Sequence, residues 1–531
     1  MKTPLLVTDF LKRARAAFRD NTAVICGAER LTYGQLGKRI DKFSSALSQL
    51  GVRRGAVVAY ISFNCHRLLE GYYAVPQIGA ILLPINIRLT PPDIAYILAD
   101  AGATVVVVDR LLAGLLAPIL ASLPKVKRVI LMGGDPKAEL PFTGVDYEEL
   151  IANAPDAFAP PPLEEDDIAE LFYTSGTTAR PKGVALTHRN LVTHAYSSMV
   201  CAHLNDTDAI LHSIPLFHVN GWGTPHTLTA VGGRHVMVPR FDPEHILEII
   251  ERERITAAFL VPTMAVALMS APSWKTRDLS SLRRVMLGGA ATPPAVLKGL
   301  DERLPDAMVF CGYGLSETSP ILTSALPKAA VREDKNASRP ARLTAGLPVP
   351  GVDVEILDDA GKPLAHDGVA VGEICARGNV IFDGYWNQPK ETAKFIVDGW
   401  FHTGDMGSID DQGYVSVVDR KKDIIITGGE NVASIEIEKA VYDHPAVLEC
   451  AVIGVPDEKW GEPPAAIIVL KPGQTLDVAE LIEHCRGKLA HFKVPTHVRF
   501  VEALPKGGTG KILKRELRES FSKEPAAAPA R

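Results

Sequence analysis

Short β-branched runs alternate along the chain with longer stretches whose apolar residues recur every three or four positions. AVVAYIS at 56–62 and TVVVVD at 104–109 read as strands, and the segment from Pro91 to Ala101 reads as a helix. The alternation continues through HILEIIERERI at 245–255, a helix by its 3.6-residue period, into the apolar run AAFLVP at 257–262. Nearly continuous apolar strands between helices predict an α/β protein with buried sheets.

A chain of 531 residues exceeds the usual size of one domain, so a division into lobes is expected. Two Pro- and Ala-rich stretches, Asn153 to Pro162 and Leu326 to Arg342, read as surface connections inside a large lobe. The boundary falls near Asp419 to Lys422, which divides the chain into 1–419 and a small α+β domain at 420–531. That domain holds a helix from about Ile435, strands at 450–455 and 465–470, and a helix at 478–490.

The net charge of −5 gives no basic field for nucleic acid, so any bound phosphate must be held locally. Seven scattered cysteines without a C-x-x-C pair fit reduced thiols in a cytoplasmic compartment and argue against a zinc site. The first twenty residues mix charge into their apolar positions and do not read as a signal peptide, and no stretch is long enough to span a bilayer.

The densest chemistry lies in YTSGTTARPKG at 173–183, expected between a strand and a helix. Backbone amides, the hydroxyls of Thr174, Ser175, Thr177 and Thr178, the small Gly176 and the mobile cation of Lys182 can together wrap phosphate oxygens. The spacing from Gly176 to Lys182 does not match a Walker A loop, and Gly183 stands where that loop needs a hydroxyl.

This loop resembles the phosphate loop of the adenylate-forming superfamily of acyl-CoA synthetases, peptide-synthetase adenylation domains and luciferases. The resemblance recurs in order through PLFHVNG at 215–221, GYGLSET at 312–318, FHTGD at 401–405, DRKKD at 419–423 and PKGGTGK at 505–511. Singly, each carboxylate or aromatic here would pass for an ordinary surface or core residue; the ordered set gives them a shared purpose.

Physical chemistry suggests how the set divides a nucleotide. Tyr313 offers a ring for adenine, and Gly288, Gly289 and Ala290, with Gly312 and Gly314, allow close backbone approach. Thr318 belongs to the same nucleotide segment. Glu317 is a hard oxygen ligand for Mg²⁺, Asp405 can accept from both ribose hydroxyls, and Arg420 supports the sugar or its phosphate.

The resemblance implies the remaining roles. His218 places the acid, with Gly221, Trp222, Val261, Gly314 and Leu315 lining the acyl pocket. Lys511 reaches the carboxylate and α-phosphate during adenylation, and Lys422 is the hinge about which the small domain turns. Gly428, Gly429, Glu430 and Trp460 then serve coenzyme A.

The implied reaction joins a carboxylic acid to CoA through an acyl-adenylate, with ATP and Mg²⁺. Gly221-Trp222-Gly223 and the apolar VPTMAVALM at 261–269 suggest medium- or long-chain fatty acids. An aryl or short-chain acid is the nearest alternative, and a non-catalytic acyl-adenylate or lipid sensor is a remote one. A homodimer and a peripheral membrane contact are compatible with this reading.

If Lys511 stabilises charge only in the first step, Lys511→Ala abolishes acid-dependent ATP–pyrophosphate exchange but spares thioester formation from supplied acyl-AMP. Exchange near the wild-type rate removes the lysine from that role.

Overall fold

The computed structural model describes residues 2–156, 158–174, 180–457, 461–506 and 512–523. Short polar side chains set the helix starts. Thr32 Oγ1 accepts from the Gln35 backbone N at 3.2 Å, and the Gln35 side chain accepts from the Thr32 N at 2.8 Å, which opens the helix Tyr33–Gln49. Thr187 and Asn190 cap the helix His188–Ala202 in the same way. Thr90, followed by Pro91, opens the helix Pro91–Ala101, as the sequence pattern predicts.

Two large sheets form the lobe. In the nine-stranded sheet, Ala209–His212, Ala257–Leu260, Arg284–Leu287 and Met308–Tyr313 are successive parallel neighbours. In the eight-stranded sheet, Ile81–Pro84, Val57–Ile61 and Ala103–Asp109 run parallel, while Ile168–Thr174 pairs antiparallel with Lys182–Thr187. A shared apolar core between them takes in Phe43 and Leu47, Tyr72 and Tyr73, and Leu191 and Ala195, from three separate helices. The predicted α/β class with buried sheets is therefore what the chain builds.

A five-stranded sheet contains Gly372–Gly378, Trp400–Ile409 and Val415–Arg420. Beyond it, the C-terminal domain packs Ser434–Tyr442 and Val478–Arg486 on one face of a three-stranded sheet, with Leu517 of the helix Lys514–Lys523 on the other. Asp419 Oδ2 accepts from both the backbone N and Oγ of Ser434, so the last lobe strand is tied to that domain's first helix. Among the described residues, no helix is long and apolar enough to cross a membrane.

One expected surface connection differs. The stretch from Leu326 to Arg342 contains the helices Ala329–Arg332 and Lys335–Arg342, and its last residue is buried. The Arg342 guanidinium forms a two-pronged pair with Asp301 at 2.8 and 2.9 Å and also donates to the Val309 carbonyl at 3.2 Å. A composition rich in Pro and Ala conceals this anchor, because one paired arginine is enough to pull the segment inward. Arg342→Ala removes the two-pronged partner of the buried Asp301 carboxylate and leaves it Lys335 Nζ at 3.5 Å, so it should cost about 1.5–3 kcal/mol, read as a lowered denaturant midpoint. An unchanged midpoint would mean that the pair contributes nothing net.

Candidate active site

The parallel strands of the nine-stranded sheet release their chain at one edge. Val261 follows Ala257–Leu260, Gly288 to Ala290 follow Arg284–Leu287, and Gly314 and Leu315 follow Met308–Tyr313. In open α/β sheets the crevice at the strands' carboxyl ends is where ligands bind. Three glycines there have a steric or backbone reason. A Cβ on Gly314 would lie 1.8 Å from the Pro320 carbonyl oxygen, and Gly289 has φ +77°. A Cβ on Gly288 would approach both the Gly312 carbonyl and the Trp222 ring at 3.1 Å.

Asp405 closes this edge from the five-stranded sheet. It is 2 % exposed and lies opposite Arg420 in antiparallel register. The Tyr313 hydroxyl donates to Asp405 Oδ2 at 2.7 Å, and Arg420 Nε lies 2.7 Å from Oδ1. Burial, and next the Asp405 charge, push the Tyr313 phenol well above its ordinary range, so it stays a donor. Each carboxylate oxygen has a second lone pair, so a diol can still bind to Asp405.

Glu317 sits in the short turn Ser316–Thr318 and is buried. Its Oε1 accepts from the Tyr385 hydroxyl at 2.8 Å. Desolvation raises its carboxyl above the usual range, while the Tyr385 bond works against that shift. A lone buried carboxylate fits Mg²⁺, which usually takes one or two protein oxygens and keeps the rest for phosphate and water. The Thr318 hydroxyl is spent on the turn: it accepts from the Leu315 N at 2.9 Å and donates to the Pro320 carbonyl at 2.8 Å.

Lys182 begins the strand Lys182–Thr187 and pairs in register with Thr174. Lys182 therefore re-enters the sheet as a strand antiparallel to Ile168–Thr174, where a helix was expected from sequence; the helix starts only at His188. β-Branched Val184 and Thr187 extend the chain before the Thr187 cap can turn it. Lys182 is nearly buried, and its Nζ donates to Glu391 Oε1 at 2.6 Å. The rings of Tyr385 and Phe395 flank the ammonium, with centroids at 5.0 and 5.1 Å. Ser175, Gly176, Thr177 and Thr178 lie outside the described residues, as do Lys511 and Trp460.

His218, half-buried, precedes a backbone run with left-handed φ from Val219 to Gly223. Gly221 belongs to this run, and a Cβ there would lie 2.7 Å from Leu216. Trp222 reaches across to Gly288 and Gly289 and closes one side of an apolar cavity of about 20 Å³. Cys201, Phe259, Met286 and Phe310 line its other sides.

Gly428 and Gly429, with φ +60° and +85°, turn the hairpin between Ile425–Thr427 and Glu430–Val432. Two positive φ values in a two-residue loop are a type I′ turn, which explains the glycine pair. Glu430 flanks that turn, and Lys422 lies exposed two residues after Arg420.

Sequence reasoning missed Tyr385 and Glu391. Both follow Gly384, and Glu391 lies in the first turn of the Pro-initiated helix Pro389–Phe395. The only sequence signal was that run of Gly, aromatic and Pro residues.

The family model for AMP-binding enzymes matches residues 11–386, and that for the AMP-binding enzyme C-terminal domain matches 436–511. The chain is 38% identical over 502 residues to a feruloyl-CoA synthase of Amycolatopsis, covering 94% of this chain and 96% of that protein. It is 36% identical over 533 residues to a long-chain-fatty-acid–CoA ligase of Thermus thermophilus, covering 98% and 96%. Its fold matches an anthranilate CoA ligase in complex with anthranoyl-AMP at a TM-score of 0.89 and 28% identity, covering 98% and 99% of the two chains. The chain thus belongs to the AMP-binding enzyme family, as an AMP-forming ligase that uses ATP and Mg²⁺ to join a carboxylic acid to coenzyme A.

Proposed function

We propose that the crevice at the carboxyl edge of the nine-stranded sheet binds the nucleotide and that the space before Trp222 takes the acid. The Asp405 carboxylate, braced by Tyr313 and Arg420 at 2.7 Å each, carries this reading. In it, Asp405 holds the ribose, Gly288 to Ala290 flank the adenine, and Glu317 faces Mg²⁺. Bound there, the metal would neutralise charge on the phosphates. Lys182 exchanges Glu391 for a phosphate oxygen, and His218 orients the substrate carboxylate for attack on the α-phosphorus.

The acyl-adenylate then meets the CoA thiol. Lys511 serves the first step, and Gly428 and Gly429 the second, if the domain from residue 420 turns about Lys422.

The acid is best read as compact. The cavity behind Trp222 holds about 20 Å³, room for one water molecule and for neither a ring nor an alkyl chain, so an acid has to fit in front of Trp222. The feruloyl and anthranilate activities of two relatives favour this reading. A fatty chain is the second reading, supported by the apolar lining of that cavity and by the Thermus relative.

A panel of benzoate, ferulate, butyrate, decanoate and palmitate, assayed for CoA-dependent AMP release, decides between them. Compact acids should exceed palmitate by about tenfold or more in kcat/KM, since one misfitting methylene already costs 1–3 kcal/mol. A preference for palmitate would establish the fatty-acid reading. Release of ADP in place of AMP would dismiss both. Asp405→Asn should raise the KM for ATP about tenfold or more through loss of a charged acceptor, with a smaller effect on the acid.

A further inference from the structure

Glu170, in the strand Ile168–Thr174, is completely buried, and no step of the ligase reaction uses it. Its two oxygens are bonded to one short stretch of chain. Asn220 Nδ2 donates to Oε2 at 2.8 Å, and His226 Nε2 lies 2.5 Å from Oε1. The rings of Tyr72 and Tyr73 meet His226 edge-on at 5.9 and 5.5 Å, which fixes the imidazole plane. Among the described residues, Asn220 Oδ1 and His226 Nδ1 are buried without a hydrogen-bond partner, so Glu170 is what holds these two side chains, while Thr224 with His212 at 3.2 Å and the Tyr73 hydroxyl on the Pro225 carbonyl at 3.0 Å tie the stretch between them.

That hold acts on unusual backbone. Val219, Asn220, Gly221, Trp222 and Gly223 have φ of 42°, 41°, 55°, 63° and 79°. L-residues avoid consecutive left-handed conformations, and β-branched Val219 avoids them most. Such a run persists only where its surroundings impose it. Packing contributes at Gly223, where a Cβ would come within 2.1 Å of the His194 ring. The run ends by laying Trp222 between Gly288 and the apolar cavity.

We infer that Glu170 is a positioning residue for acid selection: through Asn220 and His226 it holds the left-handed run that sets where Trp222 stands and how deep an acid can reach. The inference rests on the reading that the acid lies before Trp222. Glu170 itself touches neither acid nor nucleotide. The relevant chemistry is donor and acceptor matching. A Gln at 170 keeps the shape but turns one of the two acceptor positions into an NH₂: facing Asn220 Nδ2 it opposes donor to donor, and facing His226 it is met only if the imidazole shifts its proton from Nε2 to Nδ1, which has no partner among the described residues.

Glu170→Gln should raise the KM for the preferred acid about tenfold, leave the KM for ATP within about twofold, and flatten the preference among acids of different size. Adding Asn220→Asp reverses donor and acceptor across the same contact, and E170Q/N220D should recover most of the acid selectivity. If E170Q does not fold, Asn220→Gly removes the bond yet tolerates the left-handed backbone, and the same split in KM is expected.

A second readout needs no turnover. The near-ultraviolet circular dichroism attributable to Trp222, taken as the difference from Trp222→Phe, should weaken in E170Q and return in E170Q/N220D. Equal rises in both KM values, an unchanged size preference in E170Q and N220G, or an unaltered Trp222 signal would overturn the inference. A wild-type enzyme that activates no acid in the panel would defeat the acid-site reading, and the Trp222 signal would still judge Glu170.

Discussion

The Asp405 carboxylate is gripped from two directions, by a phenol from one sheet and a guanidinium from its own. Tyr313 ends the third strand from one edge of the nine-stranded sheet, and Arg420 ends the strand beside Asp405 in the five-stranded sheet. A buried carboxylate is costly unless its oxygens are satisfied, so this arrangement persists only while the two sheets keep their spacing. The junction fixes the width of the crevice. The glycines at the neighbouring strand ends, Gly288 and Gly314, then leave that width open where side chains would fill it.

The parallel strands account for why so many distant segments meet. Residues near 261, 288 and 313 are far apart in the chain, but parallel neighbours deliver their following loops to one edge. Glu317 depends on the same placement. Its turn is closed by the Thr318 hydroxyl, and Tyr385 supports it from a segment some seventy residues later.

The alternation of β-branched runs with helical periods made the fold class legible, because buried parallel strands need apolar residues on both faces. Candidate residues in short ordered segments were legible as well, since Tyr313, Glu317, Asp405 and Arg420 each sit in a distinctive local string. What stayed hidden was pairing across the chain. Nothing near Lys182 announces Glu391, nothing near Arg342 announces Asp301, and the only trace of Glu170's partnership is its being an acid inside an apolar strand. The strand that begins at Lys182 was read as a helix because loop composition reports donors, not the direction in which the chain leaves.

The ammonium of Lys182 has a consequence for how the pocket treats polyanions. It is already paired with Glu391, a carboxylate it shares with Lys394 at 2.8 Å, and flanked by two aromatic rings. An incoming phosphate would have to displace one counter-ion with another, so the net electrostatic gain is smaller than an unaccompanied lysine would offer. On the proposed reading, a nucleotide that also satisfies the diol and base contacts would complete the exchange, and selectivity there would come from fit as well as from charge.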